Sequence, residues 1–258
     1  MKRDRQSVNE RHTKILSLLR DRHEIKVDEL AAIFGVSLMT IRRDLQHLEN
    51  QGLISRFYGG AVAESPITMV SDPDDVALYR CLIGRYAASL VFDSDYLFIN
   101  GSSTALGLLN YVDKQDVHVF TNNGMAVGMK LPVGINLTLS GGIVRGQSGI
   151  LTGDCAMRNL LMEQAEKAFI GCTGISPNGE VLCGIPTELG INETMINHSY
   201  EYYILADHTK IGVVGNYASW HLEKTGTVIT DELAPADILE QLRDIGMTVI
   251  QVKKNDYT

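Results

Sequence analysis

The chain has 258 residues, 45% of them hydrophobic, which suits two domains of ordinary size, each with its own core. Its net charge of −8 is unevenly placed: residues 1–63 carry 11 Lys and Arg against 8 Asp and Glu, and residues 64–258 carry 12 against 23. No apolar run reaches the ~18 residues of a membrane span, and the opening Met1-Lys2-Arg3-Asp4-Arg5-Gln6 lacks the apolar stretch of a secretory signal, so a cytoplasmic protein with no membrane partner is expected.

Three helical patterns open the chain. The first runs from about Val8 to Arg20, with Ile15, Leu18 and Leu19 on one face. The second runs from about Val27 to Phe34, with Val27, Leu30, Ala31 and Phe34 apolar at helical spacing. Gly35 stops it, Ser37 is a good N-cap for a third helix reaching about Asn50, and Gly52 ends that one. Leu53–Tyr58 and Gly59–Val62 read as two short strands joined at a glycine turn, which closes a unit over residues 1–63. Residues 64–76 hold Ser65, Pro66, Ser71, Pro73 and four acidic groups, the composition of a linker.

From residue 77 to 258 the pattern alternates. Strands are expected at Tyr96–Asn100, Val117–Phe120, Asn136–Ser140, Lys167–Gly171, Tyr202–Ala206, Thr227–Thr230 and Met247–Gln251. Helices are expected at Asp75–Leu90, Thr104–Tyr111, Gly124–Lys130, Asp154–Gln164, Glu188–Asn197 and Pro235–Arg243. Such alternation predicts an α/β domain with a mainly parallel sheet covered on both faces. Cys81, Cys155, Cys172 and Cys183 form no C-x-x-C pair and have no histidine at zinc spacing, so they read as buried, reduced thiols, and no metal or cofactor is expected.

The segment from Phe34 to Leu45 has the spacing of a helix-turn-helix. In the third helix Ile41, Leu45 and Leu48 recur at i, i+4 and i+7 and must face a core. The opposite face carries Met39, Thr40, Arg43, Gln46 and His47, placed to reach base edges in a major groove, with Arg42 on the flank towards phosphate. Ser37 opens the helix, where amides favour an anion. The hairpin then makes a wing, with Arg56 and Tyr58 near the DNA backbone. The bland alternative is a solvated face on which Arg42 and Arg43 pair with Asp44 and Glu49. A helix pair, glycine turn, basic helix and glycine-tipped hairpin within one short unit favour double-stranded DNA as partner. An acidic body disfavours a second, non-specific DNA contact.

Residues from about Glu10 to Ala61 resemble the winged helix-turn-helix of the DeoR family of bacterial regulators. The resemblance rests on Thr40-Ile41-Arg42-Arg43-Asp44-Leu45, Leu48-Glu49, Gly52-Leu53, Arg56 and Gly59-Gly60-Ala61. Tyr58 stands where the family usually has histidine and keeps an aromatic donor.

In the second domain Gly101-Ser102-Ser103-Thr104 follows a strand and opens a helix, a position that suits an anion. Thr121-Asn122-Asn123 and Gly141-Gly142 follow the next two strands, so three polar or glycine loops share one sheet edge. After a further strand, Asp207 can orient a ligand or bind a sugar hydroxyl, and Lys210 can neutralise an anion. From about Tyr79 to Val252 the chain resembles the DeoR-type sensor domain, whose fold is shared with ribose-5-phosphate isomerases and coenzyme A transferases. Matching pieces are Gly101-Ser102-Ser103-Thr104, Thr121-Asn122, Gly141-Gly142, Lys167-Ala168-Phe169-Ile170-Gly171, Gly174-Ile175-Ser176 and Leu205-Ala206-Asp207 with Lys210. The resemblance implies a regulator, most often a repressor, controlled by a phosphorylated sugar or related metabolite held by Ser102, Ser103, Thr104, Asn122 and Lys210. Two heads on one duplex imply a homo-oligomer.

Departures bear on the ligand. Cys172-Thr173 stand where the family usually has Ala-Asp, Asn192 where a lysine is common, and Val181–Pro186 replaces the usual Gly-Leu-Thr-Thr run. Two pocket charges are missing, which predicts a different or less charged ligand. Two other functions fit the sequence less well. One is a sugar-phosphate isomerase or transferase-like enzyme carrying a DNA head, with Asp207, Glu188 or Asp154 as base. The other is a DNA-binding protein that needs no effector.

Overall fold

The computed structural model describes residues 11–257 apart from 13, 16–17, 20–23, 51–53, 58, 64–72, 146–148, 216–217 and 222–225. The chain divides into two compact units, Met1–Val70 and Ser71–Thr258.

In the first unit Arg11, His12, Lys14, Ile15, Leu18 and Leu19 are helical. Then follow β1 (Glu24–Lys26), α1 (Val27–Phe34), α2 (Leu38–Asn50), β2 (Ile54–Phe57) and β3 (Gly60–Ala63). α1 ends where Gly35 takes φ +62° and donates its N–H to Ala31, a left-handed cap that glycine adopts without a Cβ penalty. β2 and β3 form the expected hairpin. β1 adds to its far side, giving the order β1-β3-β2. The sequence reading missed β1, because three residues show no period and only pairing with distant β3 makes them a strand. Ile15, Leu19, Leu30, Ile41, Leu45, Leu48 and Ile54 are buried together in this unit's own core. Each contributes up to roughly 1.5–3 kcal/mol by burial.

The second unit is built on seven parallel strands: β4 (Tyr96–Ile99), β5 (Val117–Thr121), β6 (Ile135–Leu139), β9 (Ala165–Gly171), β12 (Ser199–Leu205), β14 (Thr227–Asp231) and β15 (Thr248–Val252). Their order is β15-β14-β12-β9-β4-β5-β6. Alternation along β4 explains the two-faced core: Phe98 joins the cluster on one face, and Leu97 and Ile99 join the other. α3 (Pro73–Ser89) and α4 (Ser103–Gly107) cover the Leu97 face through Tyr79, Ile83, Ala87 and Ala105. α5 (Asp154–Leu160), α6 (Pro186–Asn197) and α7 (Ala236–Asp244) cover the Phe98 face through Ala156, Leu160, Ile191, Met195, Leu239 and Leu242.

Smaller strands complete the unit. β7 (Ile143–Arg145) and β8 (Ile150–Thr152) form a hairpin, and β10 (Gly174–Ile175), β11 (Glu180–Cys183) and β13 (Ala218–His221) form an antiparallel sheet in the order β10-β11-β13. None of these was read from the sequence. The segment expected as a helix at Gly124–Lys130 is a 3₁₀ turn, Gly124–Gly128, with glycine at both ends. The expected helix Thr104–Tyr111 is α4 followed by a 3₁₀ turn at Leu108–Asn110. α3 begins at Pro73, inside the stretch read as linker. All four cysteines are free, but Cys81 and Cys155 are exposed rather than buried. Their neighbours Tyr79, Leu82 and Ala156 take the inward positions of the same helices.

Candidate nucleic-acid interface and effector site

α2 presents a sharply divided surface. Ile41, Leu45 and Leu48 are buried, while Ser37, Met39, Arg42, Arg43 and His47 are exposed and Thr40 and Gln46 half-exposed. The Ser37 hydroxyl accepts the Thr40 N–H at 3.1 Å and meets the Thr40 hydroxyl at 2.9 Å, so the expected cap forms and fixes the start of the helix. Met39, 71% exposed just inside that start, is a large apolar side chain left facing solvent.

The bland alternative for the arginines fails at Asp44. That carboxylate is buried and accepts Arg11 Nε at 2.6 Å and Nη2 at 3.2 Å, with His12 Nε2 3.0 Å away. Burial alone would raise its pKa; the hydrogen bonds from Arg11 and His12 outweigh burial and hold it below the ordinary 3.8. Asp44 therefore ties α2 to the preceding helical segment. Among the described residues neither Arg42 nor Arg43 has an ion-pair partner, so their charge faces outwards. His47 stacks on His12 with ring centroids 5.1 Å apart. Arg56 lies on β2 by its backbone, its side chain outside the described residues, as is Tyr58 entirely.

In the second unit all seven parallel strands end at one edge of the sheet. Chain order runs outward on both sides of the β4–β9 pair, through β5 and β6 on one side and through β12, β14 and β15 on the other. A crevice opens at such a reversal point, beyond the carboxyl ends of the strands. The loops after β4 and β9 meet there. Gly171 approaches the first loop so closely that a Cβ on it would lie 1.9 Å from Ser102 Oγ. Asn100, buried, holds the two together: its Oδ1 accepts the N–H of Gly171 at 2.9 Å and of Ser102 at 3.3 Å, and its Nδ2 donates to Gly171 O and to Asn192 Oδ1. Asn192, standing in place of a lysine, passes the chain on to Cys183 Sγ at 3.7 Å.

The expected phosphate loop is partly occupied by its own side chain. Ser102 Oγ accepts the N–H of Thr104 at 3.2 Å and of Ala105 at 3.4 Å. Ser102 is thus a helix cap, and an anion reaching those amides has to displace its hydroxyl. Ser103 is exposed and Thr104 half-exposed at the same loop. Asn122 is fully buried; its Nδ2 donates to Leu151 O at 3.3 Å, and its Oδ1 has no partner. Next to it, Asn123 Nδ2 holds Gly101 O at 2.9 Å.

Lys210, half-exposed, closes a 3₁₀ turn after β12. That turn is firmly anchored: Asp231 accepts the His208 N–H at 2.7 Å and lies 2.9 Å from the His208 ring. Asp207 does not offer a free carboxylate to a sugar hydroxyl, as the sequence suggested. It is buried, accepts Arg80 Nε at 2.7 Å and caps the turn through the Thr209 N–H and hydroxyl. Burial would raise its pKa, but Arg80, Thr209 and Lys210 together hold it below the usual carboxylate range. Lys210 also lies close enough to Cys172 to oppose burial, which pushes that thiol up to about 12. Gly141 belongs to a different neighbourhood, facing Asn159 and Cys155 of α5 at φ +66°. The ends of β6 and β12 are four strand spacings apart, roughly 19 Å at ~4.8 Å per strand, longer than a hexose phosphate. The loops after β4, β5, β9 and β12 therefore make one candidate site, and Gly141 lies at its margin.

The sequence reading gave Glu188 only as a base for an enzyme. The structure makes it the most unusual group of this edge. It is 6% exposed, its Oε1 has no partner, and its Oε2 would lie 3.3 Å from a Cβ on Gly101. Burial pushes its pKa up to about 7. Two other clefts are present, of about 350 Å³ beside Trp220, Tyr202 and Glu193 and about 460 Å³ beside Asp154, Met157 and Arg158; neither is lined by the expected effector residues. Among the described residues no His, Cys, Asp and Glu cluster is fit to hold a metal ion.

Known proteins bear on both units. Residues 11–66 match the DeoR-like helix-turn-helix domain, and residues 79–232 match the DeoR C terminal sensor domain. The chain belongs to the DeoR family. Like other DeoR-type proteins it is a DNA-binding transcriptional regulator, with a winged helix-turn-helix followed by an α/β sensor domain. The putative aga operon transcriptional repressor of Escherichia coli O157:H7 is 29% identical, over 95% of this chain and 94% of its own. The HTH-type transcriptional regulator YulB of Bacillus subtilis is 30% identical over 90% and 92%. The glycerol-3-phosphate regulon repressor of Escherichia coli K12 is 27% identical over 91% and 95%.

Proposed function

We propose that this DeoR-family protein is a cytoplasmic homo-oligomeric repressor. Its N-terminal head reads an operator, and its sensor domain releases or tightens that grip on binding a phosphorylated sugar or related metabolite. The head runs over residues 1–63, and the sensor domain, expected from residue 77, begins with α3 at Pro73. The observation that carries the DNA reading is the inward turn of Asp44, which leaves Arg42 and Arg43 to face outwards. Arg43, with Met39, Thr40 and His47, reads base edges; Ser37 and Arg42, with Arg56 and Tyr58 of the wing, hold the DNA backbone. The effector lies over the loops after β4, β5, β9 and β12, with Ser103, Thr104 and Lys210 towards its phosphate. Asp207 positions the Lys210 turn. A relative named for the glycerol-3-phosphate regulon fits a small phosphorylated metabolite.

Relatives named as transcriptional regulators support a site that binds rather than turns over, and of the three candidate bases Asp207 is committed to Arg80 and Thr209. No helix of the described residues is long and apolar enough to cross a membrane, in keeping with a cytoplasmic site of action. Coupling between ligand and DNA of this kind is typically ~1–3 kcal/mol.

The test uses the full chain. Binding selections on random duplexes are expected to return an operator, with affinity that falls steeply as salt rises. Lys210→Ala is expected to keep that affinity and lose the response to sugar phosphates. A wild-type chain with no salt-sensitive attraction to any duplex defeats the regulator reading. A Lys210→Ala chain that still responds defeats the phosphate assignment.

A further inference from the structure

Among the described residues four buried side-chain polar atoms lack a hydrogen-bond partner, and two of them are acceptors on residues near the Gly101 loop: Glu188 Oε1, whose Oε2 lies by Gly101, and Asn122 Oδ1, whose chain neighbour Asn123 holds Gly101 O. Native proteins rarely bury an acceptor unpaired, and where they do a partner that comes and goes is a sufficient reason. Asn122 is 0% and Glu188 6% exposed, so bulk water does not serve them. Leu151 fixes Asn122 through two hydrogen bonds, the Asn122 Nδ2 donating to Leu151 O and the Leu151 N–H donating to Asn122 O. The adjacent Ile150 and Glu188 Oε2 both lie beside Gly101, 3.1 Å and 3.3 Å from where a Cβ on it would be.

We infer that Glu188 and Asn122 form the hydroxyl-recognising end of the sensor site, taking the carbon-chain hydroxyls of a sugar or polyol. The inference deepens the sugar-phosphate reading and rests on it. The site offers acceptors where a hydroxyl offers a donor. The lysine common in this helix is Asn192 here, and its Oδ1 is already bonded to Asn100. Among the described residues no cation pairs with Glu188, and burial is the cause that raises its pKa. A carboxyl oxygen accepts from a hydroxyl whether the group is neutral or ionised, whereas an ammonium only donates. Burial, with a smaller contribution from the Glu188 charge, pushes the Cys183 thiol up to about 11, so it stays neutral near pH 7.

The experiment is calorimetric titration of the full chain at pH 6, 7 and 8. The probes are inorganic phosphate, glycerol 3-phosphate, glucose 6-phosphate, glucosamine 6-phosphate, sorbitol 6-phosphate and free sorbitol. At least one hydroxyl-rich phosphate is expected to bind at least tenfold more tightly than inorganic phosphate. Glu188→Gln is expected to remove most of that advantage and leave inorganic phosphate binding within about twofold, and Asn122→Ala is expected to remove most of the advantage as well. A hydroxyl donates more strongly to the ionised carboxylate, so the ratio of wild-type to Glu188→Gln affinity for the same phosphate, in which the ligand's own ionisation cancels, rises with pH, by at most about tenfold from pH 6 to 8 for a group titrating near 7; a flat ratio counts against Glu188. An advantage that survives in both variants overturns the subsite and leaves the phosphate reading intact, as does a wild type that prefers no hydroxyl-rich phosphate. An advantage confined to glucosamine 6-phosphate overturns the hydroxyl assignment in favour of an amine. Glu188-dependent binding of free sorbitol with no response to any phosphate supports the subsite and overturns the phosphate reading. Indifference to every probe overturns both.

Discussion

Asp44 in the DNA head and Glu188 in the sensor domain are each 6% exposed, and the two domains treat them in opposite ways. Asp44 has a bidentate arginine and a histidine around it, and its pKa is held down. Glu188 has an unpartnered oxygen, and its pKa is pushed up. The first carboxylate fixes a helix and leaves the charges beside it facing outwards. The second is buried with an oxygen left unsatisfied, at a cost in stability. Residue type and burial are nearly the same in both; the partners decide the role.

Removing the paired acid is the strongest way to break this contrast. Asp44→Ala strands Arg11 partly buried and is expected to destabilise the head by about 3–5 kcal/mol, with loss of DNA binding. Chemical denaturation followed alongside DNA binding checks it. Because the Asp44 pKa is lowered on folding, its stabilisation is present above the ordinary 3.8 and fades as pH falls through the lower folded value. A loss below 1 kcal/mol would mean that the ion pair does not position α2.

Glu188 predicts the reverse sign. Its folded pKa is above the ordinary 4.5, so the ionised form opposes folding and stability is lost as pH rises through about 7. Glu188→Gln is expected to stabilise the ligand-free sensor domain at pH 8 by up to roughly 3 kcal/mol and to change little at pH 5. Thermal unfolding across pH reads this, and parallel wild-type and variant curves would sink the contrast.

Smaller effects sharpen the DNA side. Arg43→Ala is expected to lose ~1–3 kcal/mol at one operator position and relax preference there. An unchanged sequence logo from selected duplexes refutes base reading by Arg43. Ser37→Ala removes the Thr40 cap and is expected to cost about 1 kcal/mol of stability, visible as a shifted denaturation midpoint with an unchanged slope.

Local patterns made much of this legible. The spacing of Ile41, Leu45 and Leu48, the Gly35 stop and the Ser37 cap are properties of a few neighbouring residues, and each appears in the fold as read. Most of the parallel strands announce themselves as apolar runs, because both faces of the sheet are covered, while the edge strand β6 alternates apolar and polar residues. The short strands β1, β7, β8, β10, β11 and β13 do not, since so few residues carry no clear period and only pairing makes them strands. Asp44 looked like a surface partner for Arg42 because sequence distance suggested it; its partners Arg11 and His12 lie 33 and 32 residues away. Asn100, the hub between the loops after β4 and β9, was read only as the last residue of a strand, and a buried asparagine followed by glycine was its one signal.

By itself the sequence determined the two domains' classes, the outward face of α2 and the edge of the sheet at which the polar loops gather, because helix and strand periods and terminal caps are short-range. Only the tertiary structure decided which polar groups are already spent. Ser102 and Asp207 looked available and are engaged, whereas Glu188 and Asn122 are the ones left wanting. Whether a buried oxygen has a partner depends on groups brought together from distant parts of the chain, and no local pattern encodes that meeting.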